Sequence, residues 1–133
     1  MEKLFNWVSI ITGVAGGIAV RLLGGFDKVF CVLLVMMVLD YVSGVVKAVH
    51  QKRLSSEIGY KGLLKKVTVL LVVAAANAVG QIVSDNVAVR EMVIMFYAAN
   101  EGISLMENVA AVSNVIPPRL KEILLQLRGD KHE

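Results

Sequence analysis

The sequence predicts an all-α integral membrane protein of about four transmembrane helices, followed by a C-terminal amphipathic helix. Three observations predict it. Of the 133 residues, 56% are hydrophobic and 19% charged, with a mean hydropathy of +0.69; a soluble domain of this length cannot bury so much apolar surface. The apolar residues gather in four stretches, each near the roughly 20 residues that cross a hydrocarbon core. The basic residues collect largely between two of those stretches.

The first stretch covers residues 5–23. Lys3 precedes it, and Ala15, Gly16 and Gly17 are small enough for a cleavage site. Against a signal peptide, the run is longer than a usual signal core, lacks an A-x-A ending and is followed almost at once by a second apolar segment. It is expected to remain as a span. Ser9, Gly13, Gly16, Gly17 and Gly24 fall on one stripe at the helical period, and Gly13 with Gly17 makes a GxxxG pair. Such a pair lets two backbones approach where lipid supplies no hydrophobic drive. Packing within one chain and self-association both fit it. Arg21 is expected near the outer surface, reached by snorkelling.

The second stretch, 29–49, contains "LDYVSGVVKAV", in which Asp40, Ser43, Gly44 and Lys47 share a face and Asp40 is close to mid-span. Cys31 is the only cysteine, so it forms no intramolecular disulfide and reads as packing. The third stretch, 67–84, places Asn77, Gly80, Gln81 and Ser84 on one face. Between the two lies "KAVHQKRLSSEIGYKGLLKK", with Lys47, Lys52, Arg53, Lys61, Lys65 and Lys66 against Glu57 alone. Read as a loop, this excess of Lys and Arg marks the cytoplasmic side. Four spans then put both termini in the cytoplasm, in agreement with Lys3, Arg119, Lys121, Arg128 and Lys131, and leave the short outer turns "GGFDK" and "SDNVAVR". The net charge of +3 does not point to nucleic acid, because the basic groups are neither interleaved with aromatic residues nor set in a recognised motif.

The fourth stretch, 87–112, carries Arg90, Tyr97, Asn100, Glu101, Ser104, Glu107 and Asn108 on about a third of its circumference, with Met92, Met95, Ala99 and Met106 opposite. A charge at the bilayer centre costs about 2.5 to 3.5 kcal/mol on the most lenient scale. Asp40 and Glu101 therefore cannot both face lipid ionised: either they are protonated, as desolvation of a carboxylate favours, or they face other polar groups or water. Fastening of Asp40, Asn77 and Asn100 to one another inside a bundle is one solution. The continuity of the stripe favours another, in which Asp40, Asn77, Asn100, Glu101, Ser104, Glu107 and Asn108 line water or a subunit interface. Gly13, Gly16, Gly17, Gly44 and Gly80 are the expected helix-packing positions.

Pro117 and Pro118 break the chain. The segment 117–128 then puts Leu120, Ile123, Leu124 and Leu127 on one stripe flanked by Arg119, Lys121 and Arg128. It is expected to lie on the inner membrane surface, with 129–133 as a polar tail. His50 and His132 have no partners at metal-ligand spacing, and no phosphate loop or nucleophile motif occurs. Neither a metal, a cofactor nor a catalytic residue is expected.

Four pieces in order, "LDYVSGVVKA", "KRLSSEIGYKGLLKKV", "FYAANEGISLMENVA" and "IPPRLKEILLQL", spread over about residues 25 to 128. Together they resemble the bacteriophage holins of the toxin-secretion/phage-lysis class. The resemblance implies a small protein of the bacterial cytoplasmic membrane that accumulates, self-assembles and permeabilises the membrane. A cell-wall-degrading endolysin, or in some relatives a large toxin, leaves through the lesion. It also implies a non-enzymatic protein, often assigned three spans. From the residues alone the alternative is a small proton-coupled four-helix exporter acting as a dimer, with Glu101 or Asp40 as the proton-binding carboxylate. A membrane scaffold is a third reading.

Overall fold

The computed structural model describes residues 1–83 and 88–129, which form five helices: α1 (Glu2–Leu22), α2 (Lys28–His50), α3 (Ser56–Val83), α4 (Ala88–Ala110) and α5 (Pro118–Arg128). The expected outer turn around 84–87, with Ser84, and the tail residues 130–133, with Lys131 and His132, lie outside the described residues. Among the described residues α1, α2 and α3 are long and apolar enough to cross a membrane. The 23 residues of α4 give it the length, but Arg90, Glu91, Glu101 and Glu107 lower its apolarity.

The turn between α1 and α2 is tight and specific. Gly24 and Gly25 both have positive φ, 87° and 101°, a region that side-chain-bearing residues avoid. A Cβ on Gly24 would also stand 2.6 Å from Asn77 Oδ1, so the turn is pressed against α3 and α4. Asp27 then starts α2 as its N-cap, its Oδ1 accepting from the Phe30 backbone N–H at 3.0 Å. Gly24, expected on the α1 stripe, belongs to this turn instead.

Helix α3 begins at Ser56, where an apolar span was expected only from about 67. Hydropathy marks where a helix turns apolar, not where its backbone becomes helical, and residues 56–66 include good helix formers such as Glu57, Lys61, Leu63 and Leu64. Ser55 Oγ accepts from the Ile58 N–H at 3.3 Å at this end. The basic loop is corrected accordingly. Lys61, Lys65 and Lys66 are helical residues of α3, Lys47 lies in the last turn of α2, and Lys52 and Arg53 alone of the six occupy the connection.

The least apolar of the long helices sits in the middle. α4 packs against α2, α3 and α5, whereas α1 meets the other helices only through α3 and has no buried residue. The main core joins Phe30, Leu33 and Met37 of α2 to Val69 and Val73 of α3 and to Ile94 and Ala98 of α4. Outward faces are apolar and exposed, as at Val32, Val35 and Val42 of α2 and Leu71 and Val79 of α3. This is the arrangement a lipid solvent favours.

The expected amphipathic helix is α5, and part of its apolar stripe packs against protein. It doubles back along α4 and buries Leu124 against Ile103 and Met106. A Cβ on Gly102 would meet the Leu124 methyl carbons at 3.0 and 3.1 Å, so a glycine in α4 makes room for the contact. Leu120, Ile123 and Leu127 of the same stripe stay exposed.

Candidate functional site

Helical period aims three charged side chains at one another. Lys66 precedes Val69 and Val73 by three and seven residues, and both are buried on the core face of α3. Glu101 follows Ala98 and Ile94 by the same intervals on α4, and Asp40 follows Met37 by three on α2. Residues three and seven apart share a helix face, so all three point into the bundle near mid-length of their helices.

There Lys66 Nζ donates to Asp40 Oδ2 and to Glu101 Oε2, each at 2.7 Å. The side chains of Lys66, Asp40 and Glu101 are only 12%, 13% and 4% exposed. Asn108 continues the network: its Nδ2 donates to Asp40 Oδ1 at 3.0 Å, to the Asp40 carbonyl at 3.2 Å and to Ser43 Oγ at 3.0 Å. The Ser43 hydroxyl in turn donates to the Asp40 carbonyl at 2.9 Å. Gly44 lies beneath Asn108, where a Cβ would stand 3.6 Å from the amide nitrogen. Removing charges from water is compensated only when the geometry is good and the remaining polar atoms are satisfied. Among the described residues no buried side-chain nitrogen or oxygen lacks a hydrogen-bond partner.

A cleft of about 620 Å³ leads to this cluster between α2 and the first half of α3. Asp40, Lys66, Ser104 and Asn108 form its polar end, while Tyr41, Val45, Ile58, Tyr60 and Leu63 line its walls.

A second polar centre lies at the opposite end of the bundle. Arg90, 1% exposed, donates from Nη1 to Asp27 Oδ2 at 2.7 Å, from Nη2 to Asp27 Oδ1 at 3.3 Å and to the Gly25 carbonyl at 3.0 Å, and from Nε to the Leu23 carbonyl. The Arg90 hydrogen bond holds the Asp27 carboxyl below its ordinary range, against the opposing effect of burial. Asn77 Nδ2 donates to the Leu22 carbonyl at 3.1 Å, so it belongs to this centre and is not fastened to Asp40.

The polar stripe expected on the fourth span is thus divided. Glu101, Ser104 and Asn108 gather at the Asp40 cluster, Arg90 belongs to the other end, Asn100 is half-buried and Glu107 is exposed. Gly80 is buried, whereas Gly13, Gly16 and Gly17 have nothing within 4 Å of a Cβ added to them. Sequence reasoning missed two partners. Lys66 falls in the basic stretch that reads as a loop, although its spacing to Val69, Val73, Ala76 and Gly80 follows the helical period. The Asp27–Arg90 pair brings together the N-cap of α2 and the first turn of α4, 63 positions apart, which no local pattern reveals.

Apolar outward faces around internally paired charges define a small helical membrane protein. The chain belongs to the bacteriophage holin family, which it matches over residues 17–129. Relatives include an uncharacterised 14.9 kDa protein of Clostridium perfringens, 35% identical over 98% of this chain and 100% of the relative. An uncharacterised protein of Listeria monocytogenes is 37% identical over 83% of this chain and 79% of its own length. A probable holin of Bacillus phage phi105 is 34% identical over 87% of this chain and 86% of that protein. No solved structure matches the chain.

Proposed function

We propose that the protein is a holin that oligomerises in the bacterial cytoplasmic membrane and permeabilises it, so that a cell-wall-degrading endolysin, or a toxin, leaves the cell. The observation that carries this reading is the family match over residues 17–129, together with its likeness to a probable phage holin. The geometry supports a form that is harmless before it acts. In the single chain Asp40, Glu101 and Asn108 are neutralised or hydrogen-bonded by Lys66, Ser43 and one another. The bundle therefore shows lipid its apolar faces. Permeabilisation would turn Asp40, Asn100, Glu101, Ser104, Glu107 and Asn108 toward water or a neighbouring copy, since charged groups are costly against lipid.

We take α4 as a fourth span. Its buried Arg90 and Glu101 are paired, while Met92, Met95 and Phe96 supply much of its exposed surface. With the Lys52 and Arg53 connection inside, both termini are cytoplasmic. α1, without buried residues and with open faces at Gly13, Gly16 and Gly17, is the helix offered to other copies.

Co-expression with a cytoplasmic murein hydrolase tests the reading: abrupt lysis with collapse of membrane potential is expected. Transport or resistance at constant potential would favour the exporter, and neither result the scaffold. Glu101→Leu is the informative variant. It leaves Lys66 paired with Asp40, so the buried cation keeps a carboxylate partner, yet it removes part of the surface proposed to face water. Protein at normal membrane levels should lyse late or not at all; lysis on time would remove the stripe from the mechanism.

A further inference from the structure

We infer that a polar stripe of α5, made of Arg119, Glu122 and Gln126, forms part of the wall of the aqueous path that this chain opens across the membrane. The inference rests on the permeabilising role proposed above and adds which surface meets the water.

Depth is the first observation behind it. α5 does not stay at the end of the bundle where its chain enters. Leu124 packs on Ile103 and Met106 over Gly102. Leu124 and Leu127 then border a cavity of about 260 Å³ together with Ile94 and Ala98 of α4 and Val32 and Met36 of α2. Val32 and Met36 lie four and eight residues from the start of α2, about 6 and 12 Å along its axis. α2 has 23 residues and is long and apolar enough to cross a membrane. The last turn of α5 therefore stands beyond the midpoint of a membrane-crossing helix, in the half of the bundle that holds the α1–α2 turn.

Exposure is the second. Glu122 and Gln126 follow Arg119 by three and seven residues, so the three side chains share one line of the helix, and all three are exposed. Among the described helices α5 packs against α4 alone. A charged and amide-bearing line at this depth is costly against lipid. A neighbouring copy offers the outward faces of α1, α2 and α3, which are apolar. Its own α5 fares no better, because copies inserted in the same sense and related about the membrane normal set Arg119 against Arg119 and Glu122 against Glu122 at equal depth. Water satisfies all three groups. Leu120, Ile123 and Leu127, exposed beside the stripe, remain for contact with lipid or with a neighbour. The Asp40 cluster must be opened before it can reach water, whereas this stripe already points outward. Before copies assemble, the inner membrane surface is the other place such a face can lie.

The test records current through planar bilayers of phosphatidylcholine that hold the full chain, under a KCl gradient. The dilute side is about 10 mM, where the Debye length is about 30 Å and a wall charge is felt across a wide path. Gln126 is the position to change, because it is neutral and lies deepest of the three. Gln126→Glu should shift the reversal potential toward that of potassium and Gln126→Lys toward that of chloride, with crosslinked oligomers within twofold of the parent's. Val32→Cys with Leu127→Cys, in a Cys31→Ala background, should be joined by a short bismaleimide, and the joined protein should still conduct. Reversal potentials unmoved by either charge would overturn the inference. So would loss of oligomers or of insertion in both Gln126 variants alike, which would put a neighbouring copy or lipid against the stripe. Failure to join residues 32 and 127, or loss of current once they are joined, would place the conducting α5 on the membrane surface and overturn it as well. A parent that passes no current refutes the permeabilising role itself, so failure of that reading and failure of this one are told apart.

Discussion

Lys66 is a single residue on which three helices depend. Replacing it by Met leaves Asp40 and Glu101 buried side by side without their cation, and removing one partner of a buried ion pair costs roughly 3 to 5 kcal/mol. Lys66→Met should therefore lower the melting temperature in detergent, followed by circular dichroism, markedly more than Glu101→Leu does. Adding Asp40→Leu and Glu101→Leu to Lys66→Met should recover much of the loss, because an apolar replacement of the whole cluster has no charge left to desolvate. Failure of that recovery would mean that Lys66 contributes through packing of its stem. Asp27 offers a pH-dependent counterpart. Hydrogen bonding to Arg90 lowers its pKa from the ordinary 3.8. The associated stability is fully present above that value and is lost as pH falls through the lower folded pKa. Solvent screens part of it, since the Asp27 side chain is 44% exposed. Thermal melts should thus weaken below about pH 4, where carboxylates ordinarily take up protons, and Asp27→Asn should flatten that part of the profile.

Among the elements, α1 and α4 behave oppositely. α4 packs against three helices and its buried charges, Arg90 and Glu101, are paired internally, whereas α1 hangs on the bundle by its C-terminal turn, through the Asn77 bond to Leu22 and the grip of Arg90 on Leu23 and Gly25. Gly13→Leu with Gly17→Leu meets no neighbour in the single chain. The double variant should melt like the parent and insert at least as well, since Leu favours the membrane. Crosslinked oligomers should nevertheless decline several-fold. An unchanged crosslinking ladder would assign self-association to another face. α5 carries a different lesson: an amphipathic stripe identifies a helix with two faces but does not name the surface it rests on. Here Gly102 admits Leu124, and the contact is made with protein.

For the whole molecule, the arrangement of spans decides which cavities meet the cytoplasm. In a Cys31→Ala background, single cysteines near residue 3, at Ser55 and near residue 131 should all resist an impermeant thiol reagent on intact cells before lysis. Labelling at residue 3 alone would mean that α1 does not cross and that the chain has three spans. Labelling at residue 131 alone would mean that α4 does not cross. That measurement bears on the helix whose composition and burial disagree. α4 carries Arg90 and Glu101 as buried residues, so its lipid-facing surface is more apolar than its sequence.

The sequence by itself determined the helical class, the membrane as solvent and the order of the four long helices, though not where α3 begins, because burial of backbone hydrogen bonds and apolar side chains in lipid writes a signal about 20 residues long. The four family-like pieces were legible for the same reason, as local strings with fixed order. Only the tertiary structure decided which charges meet. Lys66, about three turns inside a helix whose start hydropathy could not locate, joins Asp40 and Glu101, residues 26 and 35 positions away. Arg90 reaches Asp27 across 63 positions, and Asn77 leaves the cluster for Leu22. Ion pairing is a short-range contact between separate helices. Its partners are set by how those helices rotate and slide against one another, which no single helical period contains.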